Sequence, residues 1–221
     1  MLPFAIVALI LILARSATEL WLSRLNKHHV RAHTNDVPPA FRGIIDEATY
    51  RRSVDYTLAK SHFADIATVF DAIVLIVVLF SGVLPWAFGR LSANFGTSVW
   101  AMAAFLVVTG IAFGILGLPF AWYGQFKLED RFGFNTTTTK TWVLDRVKGF
   151  LLAVILGYPL LALVLKVIEW TGANWWLCAA AVVVVFQLLL LLIAPAVIMP
   201  LFNKFMQLPE GTLRERLFAL A

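Results

Sequence analysis

Charge is scarce in this sequence. Only 14% of its 221 residues are Asp, Glu, Lys or Arg, against a hydrophobic fraction of 61%. Soluble domains carry about 25% charged residues, so the shortfall excludes a fold bathed by water on all sides. Cysteine is nearly absent too. Cys178 stands alone, which rules out an intrachain disulfide and a thiolate zinc site and leaves the redox compartment unread. The signatures of common hydrolases and nucleotide enzymes are also missing: there is no His-Glu-x-x-His, no Gly-x-Ser-x-Gly and no phosphate-binding loop. Nothing in the local pattern assembles a nucleophile, a base and an electrophile. There is no internal repeat and no pair of broken helices in matching halves, which argues against a secondary transporter. Low complexity is confined to Thr136–Thr139.

What the sequence does hold is long uncharged runs. Val99 to Phe120 is 22 residues without a charge, about 33 Å of helix against a hydrocarbon core of about 30 Å. Leu177 to Ala194 is 18 residues with Gln187 as the one strongly polar side chain, and Ala72 to Phe88 and Gly149 to Leu165 are 17 each. Leu2 to Ala14 has only 13 and needs Arg15 to Leu25, with Arg15 and Glu19 one turn apart, to complete a crossing. The runs predict an all-α, polytopic membrane protein with five transmembrane helices at about 2–25, 64–88, 98–122, 147–168 and 175–199. Residues 1–200 form the membrane domain and 201–221 begin a linker. A cleaved signal peptide is the rival reading of the first run. Met1 to Ala14 carries no Lys or Arg ahead of its apolar core, however, and only "ARSA" (Ala14 to Ala17) resembles a cleavage site.

The net charge of +5 sorts by loop. Of the 18 Lys and Arg, 16 fall between spans one and two, between three and four, or after five; only Arg90 and Lys166 fall opposite. The positive-inside rule then puts the N-terminus outside and the C-terminus in the cytoplasm. The basic residues orient helices and give no reason to expect a nucleic-acid partner; the lipid bilayer is the partner they imply. Short loops favour a bacterial inner membrane over the endoplasmic reticulum.

Residues 26 to 45, with Pro38, Pro39 and Gly43, read as a loop. Asp46 is placed to cap a helix from Glu47 to Leu84 that projects beyond the membrane at its start and ends or kinks at Pro85. Tyr50, Ser53, Tyr56 and Lys60 recur on one face of it. Gly110 and Gly114 have the spacing of close helix packing. Gly157, Tyr158 and Pro159 predict a kink in the fourth span, and Pro195 and Pro200 an unwound exit from the fifth.

Ionisable residues at the ends of apolar spans are costly and face protein or water. Asp65, Asp71, Asp145, Lys166 and Glu169 are of this kind, with Asp71 the deepest and a cavity or proton path its functional reading. Lys166 and Glu169 read as an interfacial pair. His28, His29 and His33 lie in a basic segment without a third ligand, which argues against a metal; His62 reads as an interfacial or core histidine. One polar island remains, Glu129 to Asp145, "EDRFGFNTTTTKTWVLD", set in otherwise apolar sequence. Its Glu129 and Asp145 have Arg131, Lys140 or Arg146 as candidate partners, and Lys27 serves as an ordinary surface position for comparison.

Taken together, three blocks resemble a known family. "YRRSVDYTLAKSHF" (Tyr50 to Phe63) leading to "GVLPW" (Gly82 to Trp86), "LPFAWYGQFKLEDRFGFNTTTTKTWVLD" ending at Asp145, and "PLFNKFMQLPEGTL" (Pro200 to Leu213) are similar, in order and spacing, to the type I CAAX prenyl proteases. The resemblance implies an integral-membrane zinc metalloendopeptidase whose helices enclose a hydrophilic chamber. Its zinc is held by His-Glu-x-x-His and a later Glu, and its substrates are prenylated or other membrane-associated peptides. This sequence reaches Ala221 before any such motif, so the expectation is an N-terminal membrane domain that is inactive alone. It would have no catalytic residue and no cofactor in this segment, would partner a C-terminal metalloprotease domain, and would leave zinc to the full-length protein. Tyr56, Lys60, Asp71, Glu129, Arg131, Asn135, Asp145 and Asn203 are the candidates for lining the chamber or supporting that domain. A stand-alone membrane scaffold or binding protein and a small transporter using Asp71 are the alternatives.

Overall fold

The computed structural model describes residues 2–34, 37–38, 43–206 and 210–220. Pro39 and Arg42 of the expected loop, and Gln207, Leu208 and Pro209 of the third family-like block, lie outside the described residues. Among the described residues all regular structure is helical.

The first helix, α1, spans Leu2–Ala32. Asn26 to Ala32, expected as loop, are helical instead. No Gly or Pro lies between Asn26 and Pro38, so nothing in that stretch stops the helix. The second, α2, spans Glu47–Phe80 and starts as expected, with the Thr49 N–H donating to Asp46 Oδ1 at 3.3 Å. Hydrogen bonding from Thr49 holds the Asp46 carboxyl below the usual carboxylate range. Its far end is a correction. The helix stops at Phe80, not Leu84, and the breaker is Gly82, whose φ of 79° lies in the left-handed region that only glycine enters freely. Pro85 does not end a helix. It sits in the first turn of α3 (Val83–Phe95), where its missing N–H has no partner to lose. The expected span over 64–88 is therefore divided at Ser81–Gly82.

The helix α4 spans Val99–Tyr123, opens on a Ser98 cap and contains Pro119. It continues without interruption into a wider π turn, Gly124–Glu129, and then the short α5, Asp130–Phe132. The helical run is 34 residues long, about 51 Å, well beyond the edge of the apolar segment. Next, α6 spans Thr139–Thr171 and stays helical through Pro159. A 3₁₀ turn at Gly172–Asn174 leads to α7, Trp175–Ile193. The exit from α7 is widened rather than unwound: Ala194–Ile198 is π-helical and Met199–Phe202 closes as α8. Pro195 has no N–H and clashes with the carbonyl four residues back, which a π turn relieves. The last helix, α9, is Thr212–Leu220.

Four continuous helical stretches are long and apolar enough to cross a membrane, the last being Thr139–Phe202. That stretch folds back at Gly172. Leu156, Pro159, Leu160 and Leu163 of α6 line one cavity of about 470 Å³ together with Ala181, Val185 and Leu189 of α7. It therefore supplies two antiparallel helices, and the apolar helices are α1, α2, α4, α6 and α7.

The chain divides into two compact units, Met1–Ala101 with Val108–Thr139, and Met102–Val107 with Lys140–Ala221. In the first, α2 packs antiparallel to α1 and to α4. Its Phe63 stacks on Tyr123 with ring centroids 5.3 Å apart, and Phe70 meets Phe120 at 4.5 Å. Seven residues is two helical turns, so Tyr56, Phe63 and Phe70 share the face that meets α4. Few side chains are fully buried, and Ile73, Val108, Leu151 and Leu192 are among many large apolar residues more than half exposed. Lipid is as apolar as these side chains, so they need no protein cover. Nothing described lies within 4 Å of a Cβ built at Gly110.

Candidate functional site

The polar island of the sequence is a short connection held by a clasp. Glu129 ends the π turn and Gly133 follows α5 at φ 78°. The Phe134 N–H reaches the Glu129 carbonyl at 2.9 Å and the Gly133 N–H the Asp130 carbonyl at 3.0 Å, the paired bonds of a Schellman stop. Asn135 Oδ1 then accepts from the Thr137 N–H at 2.9 Å and from Gln125 Nε2 at 2.8 Å. The first bond is an Asx turn; the second pins that turn to the π segment. Thr139 opens α6 immediately afterwards.

The clasp itself joins this turn to α2. Tyr56 donates its hydroxyl to Glu129, 2.7 Å from Oε1 and 3.0 Å from Oε2. Lys60 Nζ donates to the Tyr56 oxygen at 3.0 Å and lies 3.5 Å from Glu129 Oε1. The Tyr56 ring sits edge-on to Phe132 and Phe134, centroids 5.2 and 4.9 Å away, the geometry aromatic quadrupoles favour. Arg52 donates to the Phe132 carbonyl at 2.7 Å. Gly133 is favoured by its φ of 78° rather than by space, since a Cβ there would make only an ordinary contact, 3.5 Å, with the guanidinium. A π turn shifts the helix phase by one residue, and here the shifted segment presents Glu129 to Tyr56.

The eight candidates separate into groups. Tyr56, Lys60 and Glu129 form the clasp, with Asn135 one turn away. Arg131 is not the partner of Glu129. Its guanidinium lies 5.5 Å from the Phe132 ring and borders a cavity of about 510 Å³ lined by His62, Phe63, Phe120 and Tyr123. Asp71 borders another cavity, about 320 Å³, with Arg15, Ser16, Glu19 and Thr68. Asp145 and Asn203 belong to the second unit. Asp145 pairs with Lys148 at 3.3 Å, rather than with Lys140 or Arg146; Arg146 lies instead 5.1 Å over Trp142. Lys148 also donates to the Leu201 carbonyl at 2.8 Å, bringing the start of α6 beside α8, which Asn203 terminates. Tyr50 does not share the Tyr56 surface: its hydroxyl donates to the His33 carbonyl at 3.1 Å, on the α1 side of α2. Lys166 and Glu169 pair at 2.9 Å, as their spacing predicts.

Two features escape a reading of the sequence. Lys27 is no ordinary surface residue. It donates to Asp65, which also accepts from Ser23 at 2.6 Å, and the two charged side chains are only 16% and 21% exposed. Asp65 stands out in the sequence as a carboxylate at the edge of an apolar span, but its cation becomes visible only once α1 lies against α2. The Arg52–Phe132 bond has no sequence signal at all, because its acceptor is a backbone carbonyl.

Among the described residues no group of three or more His, Cys, Asp or Glu is placed to hold a metal ion. The His29 and His33 rings lie 4.3 Å apart, tilted by 38°, and His33 Nδ1 is 2.9 Å from the His29 carbonyl. These residues do not fit a zinc site, and no step is derived through one.

Fold and clasp define a class first: a multi-pass α-helical membrane domain whose helices are tied by polar contacts near their ends. Comparison with known proteins narrows it. The family described as CAAX prenyl protease N-terminal, five membrane helices, matches residues 26–204. The chain belongs to that family. It is 33% identical over 192 residues to a CAAX prenyl protease 1 homolog of Oryza sativa subsp. japonica, covering 84% of this chain and 45% of the relative. It is 30% identical over 212 residues to a Homo sapiens homolog, covering 91% and 44%. The crystal structure of S. mikatae Ste24p superposes with a TM-score of 0.90 at 27% identity, over 100% of this chain and 53% of that one. The chain thus spans about half the length of the relatives it matches.

Proposed function

We propose that this chain is the membrane-embedded N-terminal domain of a CAAX prenyl protease-like zinc metalloendopeptidase, walling an intramembrane chamber and supporting a metalloprotease domain that carries the zinc. The observation that carries this reading is the clasp of Tyr56, Lys60 and Glu129, closed over Phe132 and Phe134. It fixes the end of the α4 run against α2 through charged and aromatic groups, which supports the reading of a structural wall. The basic loops favour a topology with the N-terminus outside and the C-terminus in the cytoplasm, and the short connections favour a bacterial inner membrane. A prenylated or membrane-associated peptide is the substrate this arrangement would serve.

The test is reconstitution in liposomes with a fluorogenic farnesylated peptide. The 221-residue chain alone should cleave nothing. Co-expressed with the C-terminal half of S. mikatae Ste24p it should yield chelator-sensitive cleavage. Chelator-insensitive cleavage by the chain alone would overturn the reading. Stable folding with no complementation by the protease half would favour a stand-alone membrane scaffold or binding protein instead. The transporter alternative is supported by Asp71 and its cavity with Arg15 and Glu19; proton or ion flux abolished by Asp71→Asn would favour it.

A further inference from the structure

The basic end of α1 carries a groove that neither the clasp nor the chamber reading uses. Trp21, Arg24, Lys27, His28 and Arg31 of α1, with Asp65 of α2, line a cavity of about 690 Å³. Arg24, Lys27, His28 and Arg31 recur at three, one and three residues, the spacing of one helical face. Among the described lining residues the one acid is already engaged, since Asp65 accepts from both Lys27 and Ser23. Lys27 is thereby held at the groove wall, while Arg24, His28 and Arg31 are exposed and Trp21 is 59% exposed. Phe4 to Arg24 is about 30 Å of helix, one hydrocarbon thickness, so the arginines reach headgroup level where α1 leaves the membrane. Trp21 lies one turn deeper, at the depth where indole rings gather.

We propose that this groove is a binding site for one anionic phospholipid. Its phosphate is held by Arg24 and Arg31, with His28 as a further donor, and its acyl chains run down α1 past Trp21 and Leu20. A bilayer lipid is the favoured occupant because the groove opens from an apolar helix surface directly onto the basic cluster. A soluble anion would use the cations and leave the tryptophan and leucines uncovered. The inference depends on α1 crossing the membrane and stands apart from any protease role.

The experiment is native mass spectrometry of the whole chain in detergent, titrated with phosphatidylglycerol, phosphatidylcholine, or inorganic phosphate as competitor. Phosphatidylglycerol should bind at least tenfold more tightly than phosphatidylcholine, and millimolar phosphate should not displace it. Arg24→Gln with Arg31→Gln should weaken phosphatidylglycerol about thirtyfold, which corresponds to about 1 kcal/mol for each basic side chain at an anionic surface. Arg24→Lys with Arg31→Lys should retain most of the binding. Arg51→Gln with Arg90→Gln should leave it unchanged; both of these residues are exposed elsewhere. Circular dichroism of each variant confirms retained helix. Equal affinity for the two lipids, unchanged binding in the folded double Gln variant, or displacement by free phosphate would each overturn the proposal.

Discussion

The two units of the chain hold their helices together by different means. In the first, polar groups tie α1 to α2 and α2 to the π turn and α5: Lys27 and Ser23 on Asp65, Tyr50 on the His33 carbonyl, Tyr56 and Lys60 on Glu129, Arg52 on the Phe132 carbonyl; α2 and α4 themselves meet through aromatic rings. In the second, Leu156, Leu160 and Leu163 of α6 and Val185 and Leu189 of α7 line one apolar cavity, and Lys148 donates to the Leu201 carbonyl near α8. Apolar side chains facing lipid gain nothing hydrophobic by meeting each other. A charge taken from water, in contrast, demands a partner that compensates it. The first unit is specified by its polar contacts, and the second by chain connectivity and van der Waals packing.

The comparison breaks most sharply at Asp65. Asp65→Ala leaves Lys27 without its carboxylate in a site where both are largely covered. Removing one partner of a buried pair costs about 3–5 kcal/mol, and the remaining exposure brings the expected loss to about 2–3 kcal/mol. Replacing both residues, as in Lys27→Leu with Asp65→Leu, should recover much of that loss, because no charge is then stranded. A truncation in the second unit is the contrast. Leu163 is 48% exposed, and Leu163→Ala should cost less than about 1 kcal/mol, well under the core range of about 2–5. Reversible unfolding of the purified chain in mixed micelles measures all of these. An Asp65→Ala loss no larger than that of Leu163→Ala would erase the distinction between the units.

A smaller effect sharpens it. Tyr56→Phe removes the hydroxyl that bridges Lys60 and Glu129 while keeping the ring between Phe132 and Phe134. A hydrogen bond to a charged group is worth about 1.5–3 kcal/mol in water-soluble proteins and less in membrane ones, so about 1–2 kcal/mol is expected. A double-mutant cycle with Glu129→Gln should give a coupling of about 1 kcal/mol. Additive effects would mean that the clasp is packing alone.

How far the sequence carried is visible at these same residues. Apolar run length predicted a multi-pass helical membrane protein, and the structure is helical with four continuous stretches long and apolar enough to cross a membrane, because the need for backbone hydrogen bonds in lipid leaves a chain few other choices. Helix ends were harder. Pro85 looked like the breaker, yet the break is Gly82: a proline is tolerated in a first turn, while a glycine at φ 79° cannot continue the helix before it. Asp65 was recognisable as an awkward carboxylate, but its cation lies 38 residues away on another helix, beyond any local pattern. Glu129 was expected to pair with Arg131, Lys140 or Arg146 and instead meets Tyr56 and Lys60, because the π turn that aims it at Tyr56 has no clear sequence mark. Local chemistry is written in the order of residues; pairings between helices depend on phase, and one extra residue in a turn resets it.

The smallest effect concerns the entry to α2, where the polar unit meets water. Asp46 caps that helix through Thr49, and this bonding lowers its carboxyl pKa. The sign follows from linkage. A depressed carboxylate pKa means that the folded state favours the ionised form. The cap's contribution is complete above the ordinary carboxylate pKa of about 4 and is lost as pH falls through the lower folded value. The protection factor of the Thr49 amide, the intrinsic exchange rate relative to the observed rate at the same pH, should therefore be high at pH 6 and fall selectively as the pH drops below about 4, while the amide of Ala101, capped by the hydroxyl of Ser98, keeps its protection. Asn caps as well as Asp and does not titrate, so Asp46→Asn should retain the protection and lose its pH dependence. If the two variants titrated alike, the carboxylate would not be the cap, and the first turn of α2 would owe its order to the Tyr50–His33 tie one turn further on.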